Sequence, residues 1–319
     1  MSGEEPALPE CIQTGFWPHL LDGLTVGAIY ALIALGYTMV YGVLQLINFA
    51  HSEIFMIGTF AGLYSLKGMG AEGSAGGMEL AILLVGAMLA SMLASGVAAV
   101  ALERVAYRPL RRRGAPRLAF LISAIGASLF LSNLFLVATD IGGPSPRPYP
   151  EVMARSAVFS AFGYEVSNKQ VLVVLTMLAM YLLLDRFVMG TRAGKGIRAV
   201  AQDPQTAALM GIDIDRMVTF TFLVGGLMAG AGGFLYGIFF GQARFNIGFL
   251  PGIKAFTAAV LGGIGNIRGA MLGGILLGLF ENLGVTCLAS HWTDVIAFLI
   301  LVLVLMFRPT GILGEQVRA

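Results

Sequence analysis

Long apolar stretches separated by short polar segments dominate the chain. Eight of them approach the roughly 20 apolar residues that an α-helix needs to cross a hydrocarbon core. A ninth, at 251–264, is too short to span upright. The pattern predicts an all-α, polytopic membrane protein with about 8–9 transmembrane segments, some of them short or discontinuous. The eight longer stretches are 20–43, 46–66, 79–102, 118–138, 171–189, 217–240, 269–288 and 293–307.

Composition supports a membrane location. The chain is 57% hydrophobic and 12% charged, with a mean hydropathy of +0.83, whereas soluble domains are about 45–50% apolar and about a quarter charged. Membrane lipid is the expected surrounding, and a net charge of +2 gives no reason to expect a nucleic-acid partner. We expect a polar N-terminal segment at 1–18, one transmembrane domain at 19–314 and a short tail at 315–319.

Basic residues predict the topology, because positive charge marks the cytoplasmic side of a membrane protein. Two predicted helices separate the two basic clusters, so both clusters belong on one side, which we assign to the cytoplasm of a bacterial inner membrane. The loop 139–170 then faces outward, and the N-terminus is periplasmic. Topology alone explains the arginines without any binding role. The clusters are Arg104, Arg108, Arg111, Arg112, Arg113 and Arg117, and then Arg186, Arg192, Lys195, Arg198 and Arg216.

Polar residues interrupt the apolar pattern at two places, 45–53 and 261–269. Irregular backbone inside a membrane is tolerated only against protein or a water-filled cavity, so such breaks often mark a substrate path. The first break supplies Asn48, His51 and Glu53 as candidate pathway residues, and the second supplies Asn266. The alternative is that each break is a cytoplasmic turn in which the asparagine caps the next helix.

Two further features bear on the membrane interior. Glu281 lies in an apolar stretch and must face the bundle interior or an interface, which makes it another pathway candidate. Glycines recur at four-residue spacing, which favours close helix packing inside the chain, although a dimer seam would use the same physics. The pairs are Gly226 with Gly230, Gly237 with Gly241, Gly269 with Gly273, and Gly274 with Gly278.

The loop 190–216 predicts a short helix at about 204–210, preceded by a stretch at 196–202 that also has helical character. Asp203 before Pro204 is a strong helix start, and Gly211 supplies a left-handed stop. Two turns are not stable alone in water, so this helix must pack on something. Ala207, Ala208, Leu209 and Met210 are available to a partner, as in a coupling helix that sits in a groove of an ATPase; the alternative is packing on the chain's own helix ends or the lipid interface.

Several motifs, in order, resemble the high-affinity branched-chain amino acid ABC permeases. They cover about 20–314, and the run through Asn48 together with the chain length resembles the H-type member of the two unlike permease subunits. One departure is Ser52, where we expect glycine in most relatives, so the local bend is expected to differ. The motifs are Gly-Ala-Ile-Tyr-Ala-Leu-Ile-Ala-Leu-Gly-Tyr-Thr-Met-Val-Tyr-Gly-Val at 27–43, Asn-Phe-Ala-His-Ser-Glu at 48–53, Met-Ile-Gly at 56–58, Gly-Lys-Gly-Ile-Arg-Ala at 194–199, Asp-Pro-Gln-Thr-Ala-Ala-Leu-Met-Gly-Ile at 203–212, and the glycine-rich 258–280.

The resemblance implies partners: a second homologous permease subunit, two cytoplasmic ATPase subunits and a periplasmic substrate-binding protein. It also implies alternating access and a pathway for branched-chain amino acids, although related permeases for urea and short-chain amides share nearly the same motifs. An ion-coupled carrier acting alone is a more distant alternative. The residues that match the family's ATPase-facing loop are Arg198, Ala199, Asp203, Ala207, Ala208 and Gly211.

Enzymatic chemistry is not predicted on this chain. The run 190–196 is similar to a phosphate-binding loop, but its glycine spacing is one residue short and Gly196 replaces the hydroxyl that would hold magnesium. We therefore expect no cofactor here, with ATP and Mg bound by partner ATPase subunits. His19, His51 and His291 have no paired spacing, so no metal site is predicted.

Overall fold

The fold was analysed in a computed structural model that describes residues 8–71, 73–138, 140–154, 156–161, 163–286, 292–308 and 310–314. The predicted tail at 315–319, the first residues of the N-terminal segment and His291 lie outside the described residues. Within them the fold is all-α apart from two small pairs of strands, as predicted.

Every predicted apolar stretch corresponds to a helix. The first helix begins at Leu8, well before the apolar stretch at 20–43. A π-helical turn, Glu103–Tyr107, joins α3 to α4. The helices are α1 Leu8–Leu44, α2 His51–Gly68, α3 Gly77–Leu102, α4 Arg108–Arg112, α5 Arg117–Val137, α6 Asn168–Gly190, α7 Arg192–Gln202, α8 Pro204–Leu209, α9 Ile214–Phe240, α10 Phe249–Gly262, α11 Ile267–Gly284 and α12 Thr293–Phe307. The strands are β1 Arg147–Pro148, β2 Ala157–Ala161, β3 Tyr164–Ser167 and β4 Gln242–Ala243.

Five helical segments in the described part of the chain are long and apolar enough to cross a membrane. Helices α10 and α12 are also apolar but have only 14 and 15 residues, so the interrupted spans that the sequence predicted are present. The five are Gly15–Leu44, Gly77–Arg112, Arg117–Val137, Asn168–Gly190 and Ile214–Phe240.

Helices α1 and α9 form the centre of the bundle, packed against α2, α10 and α11. The most apolar window of α1 is 89% buried, whereas that of α5 is 11% buried. Helices α3, α5, α6 and α12 carry rows of exposed apolar side chains. Such faces require lipid or another membrane subunit.

Small residues bring the central helices together. A β-carbon on Gly27 of α1 would lie 2.9 Å from the carbonyl oxygen of Gly274 on α11. Gly278, one turn further along α11, also lies against the backbone of Gly27. On α9, Gly226 and Gly230 lie against the backbone of α3 in the same way. The prediction of tight internal packing is confirmed for these pairs, because removing a β-carbon lets two backbones approach.

The pair Gly237 with Gly241 is different, and its prediction as a packing pair was wrong. Gly241 ends α9 with φ +71°, and a β-carbon added to it would point into open space. Gly237 instead accommodates the ring of Tyr149, which follows β1 in the long loop. Glycine spacing alone does not separate a contact from a helix stop, since both need the missing side chain.

The bundle has two ends, which we call the coupling-loop end (residues 190–216) and the long-loop end (residues 140–167). At the coupling-loop end, Arg108, Arg111 and Arg112 form ion pairs with Asp215 at the start of α9. The basic region after α3 and the loop before α9 therefore share one end, as the charge pattern predicted. At the long-loop end, β1 pairs antiparallel with β4.

Helix α10 begins at the break that precedes α2, where Gly248 and Gly252 lie against Ser52. Its last residues pair with the C-terminal segment, where Leu313 N–H donates to the carbonyl of Gly262 at 3.0 Å. Ile264, just beyond α10, lines a cavity with Arg198 of the coupling loop. The short stretch at 251–264 thus runs from this break to the coupling-loop end.

Candidate translocation and coupling sites

A short rigid helix projects at the coupling-loop end. Asp203 caps α8 by accepting N–H bonds from Gln205 at 2.9 Å and Thr206 at 3.2 Å. The Thr206 hydroxyl also donates to this carboxylate, and this bond, more than any other, holds the pKa of Asp203 below its usual value. Gly211 then adopts φ +81°, which stops the helix. The predicted helix and both of its boundary signals are confirmed.

The exposed surface of α8 is largely apolar. Leu209 and Met210 are 87% and 78% exposed, and Ala208 is exposed beside them. Ala207 was predicted to face a partner, but it is only 4% exposed, because α8 packs this side on α7 and the start of α9. The exposed apolar surface here, called the α8 tip, therefore consists of Ala208, Leu209 and Met210.

The other two residues of the predicted ATPase-facing loop lie on α7. Arg198 is exposed, and Ala199 is partly exposed. Buried residues such as Ile197 and Val200 fix α7 to the bundle. A displacement of the α8 tip would therefore be transmitted to packed helices and not absorbed by a flexible loop.

Ion pairs also anchor this end of the bundle. The guanidinium of Arg111 contacts both Glu103 at 3.0 Å and Asp215 at 2.5 Å, and the side chain of Glu103 is fully buried. Thr219 donates to the second oxygen of Glu103 at 3.1 Å. The π-helical turn and the base of α9 are thus held together by Arg111 and by the Thr219 hydroxyl.

The first break in the helical pattern is buried inside the protein. Asn48, His51 and Glu53 are each at most 2% exposed. The Asn48 carboxamide oxygen accepts bonds from the Tyr107 hydroxyl at 2.9 Å and the Ala50 N–H at 3.1 Å. Asn48 does not cap α2, because the N-cap position belongs to Ala50. The alternative of a cytoplasmic turn with a capping asparagine is wrong at this break.

Each of these three buried side chains keeps an atom without a partner in the described residues: Asn48 Nδ2, His51 Nε2 and Glu53 Oε2. The His51 ring lies against Gly36 of α1 and 4.7 Å from the Tyr37 ring centroid. The other Glu53 oxygen accepts a bond from Ser128 of α5 at 3.2 Å. A buried polar atom without a partner costs free energy unless water or a ligand satisfies it.

The second break is a turn at the coupling-loop end. Asn266 caps α11 by accepting N–H bonds from Arg268 at 3.0 Å and Gly269 at 3.2 Å, as the turn interpretation predicted. It also lines a cavity of about 680 Å³ together with Arg198, Asp185 and Arg268. Asn266 therefore lies beside the coupling loop and not at the buried break.

Glu281 lies at the long-loop end, in a third location. Its Oε1 accepts bonds from Lys254 of α10 at 2.5 Å and from the Tyr30 hydroxyl of α1 at 3.3 Å. Lys254 also pairs with Asp294 at 2.6 Å. These residues, apart from Asp294, line a cavity of about 440 Å³.

The five candidate pathway residues are thus distributed along the bundle and do not form one site. Asn48, His51 and Glu53 share the buried break, whereas Asn266 and Glu281 lie at opposite ends. Sequence reasoning missed Lys254 and Tyr30. A signal was present for Lys254, since a lysine inside an apolar stretch must find a partner or an aqueous cavity.

A helical bundle with apolar outer faces, a buried polar break and a cavity at each end has the features of a multi-pass membrane transport subunit. Residues 19–305 match the family model described as branched-chain amino acid transport system / permease component. The chain belongs to this family of permease components.

Individual relatives agree along almost the whole chain. It is 44% identical over 301 residues to the high-affinity branched-chain amino acid transport system permease protein BraD of Pseudomonas aeruginosa, covering 93% of this chain and 95% of that protein. It is 42% identical to the permease proteins named LivH of Escherichia coli and of Salmonella typhimurium, covering 94% of this chain and 96% of each relative.

Proposed function

We propose that this chain forms one part of the membrane pathway of an ATP-binding-cassette importer for branched-chain amino acids. The observation that carries the ATP-driven mechanism is the α8 tip, an exposed apolar surface on a helix fixed at both ends and seated on packed helices. Its shape suits a groove on an ATPase subunit. The substrate class is supported by the names of relatives that are more than 40% identical.

The assembly that we propose contains a second, homologous permease subunit, two ATPase subunits and a substrate-binding protein. ATP and Mg belong to the ATPase subunits, and this chain binds no cofactor. The exposed apolar faces of α3, α5, α6 and α12 provide area for both lipid and the second permease. The complex lies in a bacterial inner membrane with the N-terminus and the long-loop end outside, where the loaded binding protein docks.

In this mechanism the substrate enters at the long-loop end and leaves at the coupling-loop end. Closure of the ATPase subunits moves the α8 tip, and α7 and the ion-paired base of α9 transmit the motion. The helices around the buried break would switch between two packing arrangements, each of which opens the pathway to one end of the bundle.

The test is uptake by vesicles that hold this chain with its neighbouring permease, ATPases and binding protein. Labelled leucine and labelled urea are compared with ATP, without ATP, and with a hydrolysis-deficient ATPase variant. Leucine uptake that requires ATP hydrolysis supports both the ATP-driven mechanism and the branched-chain amino acid substrate. Urea uptake alone would replace the substrate, and uptake of either compound without ATP would overturn the ATP-driven mechanism.

A further inference from the structure

The cavity at the long-loop end combines opposite charges with an apolar wall. Lys254 and Glu281 have side chains that are 8% and 3% exposed, so both charged groups are withdrawn from solvent. The cavity volume of about 440 Å³ lies within the range of small-molecule sites. Its apolar wall includes Val26, Ile29, Phe240, Ile247 and Leu250.

One oxygen of the Glu281 carboxylate accepts no hydrogen bond from the described residues. Oε1 is occupied by Lys254 and Tyr30, but Oε2 is buried and has no partner among the described residues. A buried carboxylate oxygen without a donor costs free energy unless a ligand or water supplies one. A primary ammonium group is a suitable donor, because it carries positive charge and three N–H bonds.

The same cavity also offers positive charge to an anion. Arg244 lines it, is exposed, and forms no ion pair with the residues that the structure describes. The Lys254 ammonium group is shared between Glu281 and Asp294. Its distance to the Asp294 carboxylate is 2.6 Å, and the Asp294 side chain is 47% exposed. An incoming carboxylate has Arg244 as a free partner and Lys254 as a second cation nearby.

We propose that this cavity is a binding station for a zwitterionic aliphatic amino acid on the permease itself. Glu281 Oε2 accepts the α-ammonium group, Arg244 and Lys254 hold the α-carboxylate, and the apolar wall receives the side chain. This inference rests on the proposed function and adds the site where the substrate is held after it leaves the binding protein. Urea carries neither charge, so the station discriminates against it.

Direct occupancy is tested by cysteine protection in the purified full complex. Cys11 and Cys287 are replaced by serine, and Asn246→Cys places a thiol on the cavity lining. Ser74→Cys, exposed between α2 and α3, is the matched control. Labelling by a charged thiol reagent is timed with and without roughly 10 mM leucine, a concentration that would fill even a weak, millimolar site.

Leucine is expected to slow labelling at position 246 about threefold or more, as substantial site occupancy requires, and to leave labelling at position 74 unchanged. Leucinamide lacks the carboxylate and 4-methylpentanoate lacks the ammonium group, so each should protect poorly, and urea should not protect. Glu281→Gln should abolish leucine protection. Any of three outcomes would contradict the proposed binding station. These are unchanged labelling with leucine, equal protection by the single-charge analogues, and full protection by leucine in Glu281→Gln.

A second variant covers the case in which Glu281→Gln does not assemble. Arg244→Gln changes an exposed rim residue and is expected to weaken leucine protection several-fold while the full complex still assembles and elutes as one species in size-exclusion chromatography. Full protection in this variant overturns the role of Arg244. Uptake by vesicles reconstituted with the same complex separates the two proposals. ATP-dependent leucine uptake without protection would contradict the binding station and leave the proposed transport function intact.

Discussion

The side chain of Ser52 occupies the space that a β-carbon on Gly252 would need. Ser52 is in the first turn of α2, its hydroxyl donates to the Phe49 carbonyl at 2.8 Å, and Gly252 lies in the first turn of α10. The family resemblance led us to expect glycine at position 52. This chain places serine there and has a glycine on the facing helix.

This relationship predicts a compensating pair of substitutions. Gly252→Ala should destabilise the protein by about 1–3 kcal/mol, as overpacking does in a dense interior. Ser52→Gly in the same chain should restore most of the loss. The measurement is the thermal midpoint of the detergent-solubilised protein. Gly126→Ala is the control, because Gly126 has open space around it; equal losses at positions 126 and 252, or no recovery in the double variant, would contradict the packing account.

The cap of α8 predicts a contrast between two replacements of Asp203. Asparagine caps a helix about as well as aspartate, whereas alanine does not. We therefore expect Asp203→Asn to retain coupled transport and Asp203→Ala to lose part of it through fraying of α8. The ratio of leucine taken up to ATP hydrolysed measures this, and similar ratios in both variants would show that the cap is not needed.

The lowered pKa of Asp203 has a further consequence for pH dependence. The Thr206 hydroxyl and backbone N–H favour the ionised form, so the capping contribution is present above the unfolded pKa and is lost only as pH falls through the lowered folded pKa. Between about pH 5 and 8 the carboxylate stays ionised. Asp203→Asn should accordingly leave the pH profile of coupling unchanged in that range; a profile that shifts in this variant would contradict the assignment.

The α8 tip predicts an uncoupled variant. Ala208→Asp adds a charge to the exposed apolar surface, which should cost about tenfold or more in uptake if that surface is desolvated in a docked groove. Membrane insertion and thermal midpoint should stay normal because Ala208 is exposed. Ser74→Asp, exposed between α2 and α3, is the charge-matched control; normal leucine uptake in Ala208→Asp would remove the docking role of the tip.

The buried carboxylate Glu103 predicts unequal roles for two neighbouring arginines. Arg111→Met leaves Glu103 without its cation and should cost about 3 kcal/mol or more, as the loss of a partner from a buried pair does. The side chain of Arg112 is 66% exposed, so Arg112→Met should cost less than about 1 kcal/mol. Thermal midpoints of the two variants provide the comparison, and equal shifts would contradict the burial argument.

The sequence by itself determined the helical membrane class, the short helix predicted at about 204–210 with its cap and stop, the shared end of the two basic clusters and the family. These features depend on local chemistry or on long apolar runs, which are readable without knowing what packs against them. A capping aspartate acts on residues two and three positions away, and a span of about 20 apolar residues has few alternatives in lipid.

Only the tertiary structure decided which candidates come together. It separated Glu281 and Asn266 from the buried break, placed Lys254 and Tyr30 beside Glu281, turned Ala207 inward and distinguished Gly241 from the packing glycines. These outcomes depend on contacts between residues far apart in the chain, such as Tyr30 with Glu281 and Ser52 with Gly252. Helix rotation and approach are set by the packing of all neighbours at once, and residue spacing along one helix does not contain that information.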